Sequence, residues 1–447
     1  MSRPPKPRSP QSRSSGSAAP PPASPELAAR LAALTLIEAG LDHRGGFDEA
    51  MARPPFTDLT PRDRAWARGL AATAFRRLGS IDAALAARLE RPPPEPVTAV
   101  LRLGAAQLLF RDTPAFAAVA TSVDLAARDR RTQPFKGLVN AVLRRLAREG
   151  MPEASPEADL PPWLWARWRA AYGEETARTV AARLREEPPT DLSLRDPSEA
   201  ARWAEPLEAE ALRGGSLRTW RRGELSAWPG FEDGAWWVQD AAAATPVRAL
   251  APQPGETALD LCAAPGGKTL QIAATGAAVV AVDRSAQRLR RLSENLARTG
   301  LAAEAVVAEA AEWDDRRSFD AVLLDAPCTA TGTFRRHPDV VWGARPPEIA
   351  KLAAVQQRLL DSAAGWVRPG GRLVYCVCSL EPEEGEAQAA AFLQRRSDFA
   401  TRPIDPAELG LPAEARTPEG WLRLLPSFQE PAGGMDGFFV ARFDRAA

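Results

Sequence analysis

The chain has 447 residues, of which 45% are hydrophobic and 26% are charged, a balance that is typical of a globular protein and excludes general disorder. The formal net charge is zero, which excludes a uniformly basic surface for nucleic acid. The sequence contains neither a run of about 18 apolar residues nor an apolar leader. We therefore expect a cytoplasmic protein without a membrane partner.

The cysteine and histidine content bears on metal binding. The chain has four cysteines, Cys262, Cys328, Cys376 and Cys378. It has two histidines, His43 and His337. These residues form no CxxC pair, and so few cysteines give no disulfide framework. We therefore expect no metal site.

The first 150 residues divide into a tail and a helical region. Residues 1–24 are rich in Pro, Ser and Arg without apolar periodicity, which predicts a disordered basic tail. Capping residues followed by proline at Ser24 and Thr60, with apolar residues at helical spacing, predict an all-helical domain over residues 25–150. Helices are expected from residue 26, from 61 to 78, and over 97–110, 115–127 and 134–148.

The charge is distributed unevenly along the chain. Residues 1–150 hold 23 Lys and Arg against 14 Asp and Glu, although the whole chain is neutral. This excess predicts an anionic partner at the N-terminal end, and a solvated basic surface is the alternative.

Residues 151–240 are rich in tryptophan. Eight of the 13 tryptophans lie between Trp163 and Trp237, interleaved with arginines. Aromatic rings beside arginines can stack on unpaired bases while the arginines hold phosphates. The alternative is that the rings fill the core of a small domain. We expect a small α+β module that links the helical domain to the rest of the chain and contacts RNA.

From residue 256 onward, apolar strands alternate with helices. Buried strands are predicted over residues 257–262, 278–283, 304–308, 319–325 and 372–377. Helices are predicted over residues 287–297, 347–366 and 383–393. This alternation predicts an α/β domain with a doubly wound, Rossmann-like parallel sheet over residues 241–447.

A glycine turn and an acidic residue indicate a nucleoside site. The first strand leads into DLCAAPGGKT at residues 260–269, and the second strand ends at Asp283. In a doubly wound sheet such a turn lets a ligand approach the backbone, and the acid binds ribose hydroxyls. The turn does not match GxGxxG, and Cys262 stands where the phosphate loop GxxxxGK[ST] needs a glycine. The pattern favours S-adenosylmethionine over a dinucleotide or ATP, and a glycine turn without function is the alternative.

Two further strands end in loops that carry cysteine. The fourth strand leads into Asp325-Ala-Pro-Cys328, and the fifth ends in Cys376-Val-Cys378. Because the carboxyl ends of adjacent strands line one crevice, both loops should face the cofactor. A thiolate is the nucleophile that can attack an electron-poor ring carbon, and Asp325 can donate or accept at the ring edge. Cys262 and Cys376 are expected to be small buried apolar residues.

Several motifs resemble those of one known family. DLCAAPGGKT, VVAVD, LLDAPCTATGTFRRHPD, LVYCVCSLEPEE and DGFF are similar to motifs of the Nop/Sun family of RNA cytosine-C5 methyltransferases, over residues 236–443. The helical domain, with FKGLVNAVLRRL at residues 135–146, resembles the RNA-binding factor NusB. This pairing is characteristic of the ribosomal RNA small-subunit methyltransferase B type. The resemblance implies a class I methyltransferase sheet preceded by a NusB-like domain.

The resemblance also implies roles for individual residues. S-adenosylmethionine would be the cofactor, with its ribose at Asp283, its adenine near Glu309, and its sulfonium and the target base near Asp325. The loop around its methionine and ribose would consist of Cys262, Ala263, Ala264, Pro265, Gly266, Gly267 and Lys268. Cys378 would be the nucleophile, and Cys328 would assist product release. The family usually has Thr-Cys-Ser where this chain has Val-Cys-Ser at 377–379.

The implied substrate is a cytosine of small-subunit (16S) ribosomal RNA. The base should be single-stranded or flipped, because a base stacked in a helix cannot be reached. A thiolate adds to C6, C5 then takes the methyl group, and β-elimination frees the enzyme. We expect a monomer. Two other interpretations are a DNA cytosine-C5 methyltransferase with Cys328 as nucleophile and a non-enzymatic RNA-binding assembly factor.

Overall fold

The computed structural model describes residues 24–42, 46–429 and 432–447. The predicted basic tail, residues 1–24, lies outside the described residues except for Ser24. The N-terminal region is helical, as the sequence predicts. Its helices are α1 Pro25–Leu41, α2 Gly46–Met51, α3 Pro61–Arg76, α4 Leu78–Ala86, α5 Glu95–Phe110, α6 Ala115–Arg128 and α7 Lys136–Glu149.

Capping and close packing explain these helices. The Ser24 hydroxyl accepts from Leu27 N at 3.4 Å, and this bond satisfies a free N–H group at the start of α1. The predicted continuous helix over residues 61–78 is wrong, because α3 ends at Arg76 and α4 begins at residue 78. Helices α5 and α7 approach so closely that a Cβ at Gly104 would lie 2.5 Å from Leu143 Cδ1. The helices share one apolar core.

A small α+β module follows. Its elements are α8 Pro162–Tyr172, α9 Glu174–Ala182, β1 Thr190–Leu194, α10 Ala200–Ala204, β2 Ala209–Ala211, β3 Leu217–Thr219 and β4 Trp236–Val238. The strand order is β2-β3-β1-β4, and neighbouring strands are antiparallel. The module contacts both neighbouring regions, since α8 and α9 share an apolar cluster with Phe334 and Leu380 of the C-terminal half and Arg185 donates to Ser80 of α4.

Most tryptophans of this region fill the apolar core. Five are buried, namely Trp168, Trp203, Trp228, Trp236 and Trp237. Two more, Trp163 and Trp165, are partly buried against a core cluster. Trp220 is 54% exposed, but the arginines that follow it, Arg221 and Arg222, pair with Glu208 and Glu187. The structure therefore favours the interpretation in which the rings form a core over the one in which they stack on RNA.

The C-terminal half is built around an eight-stranded sheet. Its elements are α11 Ala241–Leu250, β5 Thr257–Leu261, α12 Gly267–Ala273, β6 Ala278–Asp283, α13 Ala286–Thr299, β7 Glu304–Val307, β8 Phe319–Asp325, α14 Val340–Gly343, α15 Pro346–Trp366, β9 Val367–Val377, α16 Glu386–Arg395, β10 Phe399–Thr401, β11 Leu422–Leu424 and β12 Phe438–Arg445. The strand order is β10-β12-β9-β8-β5-β6-β7, and β11 pairs with β12.

Strands β5 to β9 run parallel, which confirms the predicted doubly wound sheet. Strands β10, β11 and β12 form antiparallel pairs at one edge of the sheet, and the sequence analysis predicted none of these three strands. Apolar clusters that include α15 and α16 cover one face, and α11 packs on the other. The carboxyl ends of β5, β6, β8 and β9 therefore open along one edge, as in other doubly wound sheets.

Candidate active site

The loop between β5 and α12 passes very close to α13. Gly266 adopts φ +109°, a conformation that favours glycine. A Cβ at this position would lie 2.8 Å from Leu292 Cγ on α13. The loop over residues 262–268 can therefore keep this path only with glycine at 266, which leaves its backbone open to a ligand.

Two acids stand at the ends of neighbouring strands. Asp283, at the end of β6, is 3% exposed and accepts from Ala264 N at 3.1 Å and from Ser285 N at 2.8 Å. It is thus tied to the β5–α12 loop. Glu309 follows β7, is exposed, and has Arg284 at 4.0 Å. The structure brings Asp283 into contact with the loop, whereas Glu309 is exposed to solvent.

A buried carboxylate lies next to the same loop. Asp260 is fully buried in β5, and the Thr269 hydroxyl donates to its Oδ2 at 2.6 Å. Its Oδ1 has no hydrogen-bond partner among the described residues. Burial raises the pKa of Asp260 to about 7. An unpaired acceptor in such a place fits a donor group of a ligand.

Lys268 and Asp325 form a partly buried pair at the mouth of the sheet. Lys268 Nζ donates to Asp325 Oδ2 at 2.7 Å. Burial alone would lower the pKa of Lys268, but the Asp325 carboxylate outweighs it and raises that pKa above its usual range. The Cys376 thiol donates to Asp325 Oδ1 at 3.4 Å. The pair therefore carries a fixed ammonium–carboxylate dipole.

Cys328 and Cys378 meet although 50 residues separate them in the chain. Their sulfurs lie 3.4 Å apart. The contact with Cys378, together with burial, raises the pKa of Cys328 well above the usual value of a thiol. Burial likewise raises the pKa of Cys262 to about 12, and it raises the pKa of Cys376 well above the usual value of a thiol. Three of the four cysteines are therefore protonated at neutral pH, which makes them poor nucleophiles.

Cys328 and Cys378 lie at a cavity of about 670 Å³. Pro265 of the β5–α12 loop, Cys328 and Cys378 line one side, and Gly40 and Phe47 of the helical region line the other. The two sides are linked, since Phe47 N donates to the Asp339 carboxylate at 3.2 Å. The N-terminal helices therefore form part of the cavity wall.

Further contacts link the helical region to the segment that follows the Cys328 loop. Arg76, at the end of α3, is buried and donates to the carbonyls of Arg335 at 2.6 Å and Leu184 at 3.2 Å. Trp342 Nε1 donates to the carbonyl of Phe75 at 3.2 Å. The segment over residues 328–344 is thus held against the end of α3 at Arg335 and at Trp342.

Sequence patterns gave no sign of a buried ion cluster beside this segment. Arg336 contacts Asp240 at 2.5 Å and Asp436 at 3.4 Å. Burial would raise the pKa of Asp240, but Arg336 outweighs it and holds that pKa at about 2. Burial, with Asp240 close by, raises the pKa of Asp436 to about 7. Asp436, the acid of the DGFF motif, therefore helps to hold the segment over residues 328–344 through Arg336. Glu384, which contacts both cysteine loops, was also missed.

Neither a metal cluster nor a membrane helix is found within the described ranges. No group of three or more His, Cys, Asp or Glu residues in these ranges could hold a metal ion. No helix in them combines the length and apolarity that crossing a bilayer requires.

Family comparisons agree with the division of the fold. The family described as "16S rRNA methyltransferase RsmB/F" matches residues 247–444. The NusB family matches residues 27–148, which correspond to the helical region. The first match covers the sheet and both cysteine loops, and the second covers the helices that line the cavity.

Individual relatives match most of the chain. The ribosomal RNA small subunit methyltransferase B of Cronobacter sakazakii is 37% identical over 406 residues, or 86% of this chain and 91% of the relative. The protein of the same name from Escherichia coli is 38% identical over 413 residues, or 87% and 92% of the two chains. The crystal structure of PH0851 superimposes with a TM-score of 0.73 at 25% identity, over 95% of this chain and 99% of that one.

Proposed function

The chain belongs to the 16S rRNA methyltransferase RsmB/F family, and we propose that it transfers a methyl group to C5 of a cytosine in 16S ribosomal RNA. It is an rRNA methyltransferase, and its methyl donor is S-adenosylmethionine. The observation that carries the finer proposal is the pair of sulfurs 3.4 Å apart in one cavity. Activation of a pyrimidine C5 needs a nucleophile at C6, whereas transfer to a base nitrogen or a ribose hydroxyl needs none.

The residues around the β5–α12 loop fit S-adenosylmethionine. Gly266 lets the backbone approach the ligand, and Asp260 Oδ1 has a vacant lone pair for the ammonium of the methionine part. A carboxylate has about four acceptor positions, so Asp283, which uses two for backbone N–H groups, keeps two for ribose hydroxyls. We assign Glu309 to the adenine edge. When bound, the cofactor supplies an electrophilic methyl group.

Cys378 is the nucleophile in this proposal. Cys328 holds its proton and can donate it to the Cys378 sulfur, which stabilises a thiolate there. The thiolate adds to C6 of the cytosine, and C5 gains the electron density with which it takes the methyl group. The assignment of Cys378 as nucleophile follows the resemblance of LVYCVCSLEPEE to the motif of the family.

Asp325 and Lys268 act at the edge of the ring. The Asp325 carboxylate accepts from the 4-amino group of cytosine, which orients the base. Lys268, 2.7 Å from that carboxylate, places a positive charge where negative charge develops as the thiolate adds. This arrangement lowers the barrier to addition without a metal ion.

Product release requires two bonds to break. In the release step that we propose, Cys328 first gives up its own proton to solvent. Its thiolate then takes the proton from C5, and the electron pair of the broken C5–H bond re-forms the C5–C6 double bond. The bond between C6 and the Cys378 sulfur then breaks, and its electrons return to Cys378. Cys328 is suited to this step because its sulfur lies 3.4 Å from that of Cys378.

The N-terminal helices contribute RNA affinity in this proposal. Helix α3 exposes Arg62, Arg64 and Arg68, and no carboxylate in the described part of the chain pairs with them. Such cations gain affinity for RNA by releasing counterions. We assign residues 25–150 to the RNA-binding domain, 151–240 to the linking module and 241–447 to the methyltransferase domain of a cytoplasmic monomer.

Mapping of 5-methylcytosine tests the proposal directly. In 16S rRNA from a strain that lacks the gene, bisulfite sequencing should show the loss of methylation at one cytosine. Wild-type protein should restore it, and the Cys378→Ala variant should not. A pattern unchanged by loss of the gene would overturn the proposal, and restoration by Cys378→Ala would favour the arrangement of DNA methyltransferases, in which Cys328 is the nucleophile.

A further inference from the structure

Each of the two reactive cysteines is followed by a hydroxyl residue that binds the same carboxylate, Glu384. Thr329 N donates to Glu384 Oε1 at 3.0 Å, and the Thr329 hydroxyl donates to Oε2 at 2.5 Å. On the second loop the Ser379 hydroxyl donates to Glu384 Oε2 at 2.5 Å. One side chain therefore joins the loop of Cys328 to the loop of Cys378.

Glu384 is fully buried and is surrounded by neutral donors. Gln356 Nε2 donates to Glu384 Oε1 at 3.1 Å and to the carbonyl of Pro327 at 2.9 Å. No lysine or arginine of the described residues forms an ion pair with this carboxylate. Burial raises the pKa of Glu384, and the donors oppose that rise. Because a buried carboxylate without a counter-ion is costly, its hydrogen bonds have to offset that cost.

The two cysteine loops depend on Glu384 to different degrees. The Cys378 loop binds Glu384 through the Ser379 hydroxyl. Two contacts that do not involve Glu384 also join the loops, since Gly332 N donates to the carbonyl of Cys378 at 3.0 Å and the hydroxyls of Thr329 and Ser379 lie 3.1 Å apart. In the other loop both the N–H and the hydroxyl of Thr329 donate to Glu384. Loss of the carboxylate should therefore displace Cys328 more than Cys378.

We infer that Glu384 is a positioning residue, an inference that rests on the proposed function. Glu384 holds Cys328 against Cys378 so that the methylated RNA adduct is resolved. Cys328 follows β8 and Cys378 follows β9, and Glu384 binds the residue directly after each cysteine. Without the Glu384 carboxylate, Cys378 still adds to the cytosine. The C5 proton then has no base in place, so the bond between C6 and sulfur persists.

The Glu384→Gln variant tests this inference. It keeps the size of the side chain but replaces an acceptor oxygen by an NH2 group that faces other donors. Full-length protein is incubated with 16S rRNA and S-adenosylmethionine, and turnover and the RNA-bound fraction on a denaturing gel are measured. Turnover should fall by about tenfold or more, the effect of losing a charged hydrogen bond, while the adduct fraction rises. Glu383→Gln is the matched control, because Glu383 is 50% exposed and pairs with Arg167, and both readouts should stay at the wild-type level.

A second variant covers the case in which Glu384→Gln does not fold. Thr329→Val removes one hydroxyl donor from the Cys328 loop alone and should also raise the adduct fraction, by a smaller factor. Wild-type turnover in both variants, or loss of turnover without accumulated adduct, would overturn the inference. If even Cys328→Ala gave no adduct, the proposed function would fail instead, so the two failures are distinguishable.

Discussion

Gly266 offers a test of the loop that we assign to the cofactor. Its φ of +109° would cost a residue with a side chain about 1–3 kcal/mol. A Cβ would lie 2.8 Å from Leu292 Cγ and 3.1 Å from Leu292 Cβ, and relieving such an overlap costs about 1–3 kcal/mol more. Gly266→Ala should therefore lower the free energy of unfolding or, where the loop shifts instead, the free energy of cofactor binding, by about 2–6 kcal/mol in total.

Two other glycines separate the cost of backbone strain from the cost of steric overlap. Gly300 has φ +67° but no atom within 4 Å of its Cβ position, so Gly300→Ala should cost only the backbone strain, about 1 kcal/mol. Gly137, in α7, has neither strain nor neighbours, and Gly137→Ala should stabilise by about 0.4–1 kcal/mol. Urea denaturation measures stability, and calorimetric titration with S-adenosylhomocysteine measures binding. If Gly266→Ala changed both free energies by less than about 0.5 kcal/mol, the size of ordinary surface effects, the reasoning would be refuted.

Three further predictions concern pH, salt and nucleotide choice. Burial raises the pKa of Asp260 to about 7 from an unfolded value of about 4. The native state therefore binds the extra proton between these values, and stability falls as pH rises through this window. Asp260→Asn should remove that part of the pH dependence in urea denaturation of the cofactor-free protein, and equal pH slopes in variant and wild type would contradict this. Replacing Arg64 and Arg68 together by Gln should reduce the slope of log K against log salt for RNA by about 1.4, because each contact to a single strand contributes about 0.7. Arg178→Gln, whose exposed side chain pairs with Glu174 at 2.8 Å, is the control, and an unchanged slope in the double variant would place the RNA on another surface. Calorimetry should show binding of S-adenosylmethionine but not of NAD or ATP, and the reverse would exclude our assignment of the loop.

The parts of the fold that local sequence governs could be predicted. Helix α1 follows from Ser24 and the proline after it, because a cap and a fixed φ act over a few residues. Strands β5, β6 and β8 are largely apolar runs since both their faces are covered. Strand β7, which was predicted to be buried, is largely exposed because it forms the edge of the sheet. The contact between Asp283 and the loop at 262–268 could be predicted, because both stand directly at the carboxyl ends of neighbouring strands.

Contacts between distant segments could not be predicted. Glu384 meets Thr329 across 55 residues, and a run of acids in the sequence does not show which of them is buried. Arg336 and Asp240 pair across 96 residues for the same reason. The antiparallel edge was missed because β10 and β11 have only three residues each, too few for a periodic pattern.

The central claim is that Cys378 forms the covalent bond to RNA and Cys328 resolves it. Each protein is incubated with 16S rRNA and S-adenosylmethionine and then separated on a denaturing gel. Cys328→Ala should accumulate as a covalent RNA complex, because addition and methyl transfer proceed but release does not. Cys378→Ala should form no complex and transfer no methyl group. A covalent complex in Cys378→Ala and none in Cys328→Ala would contradict the account.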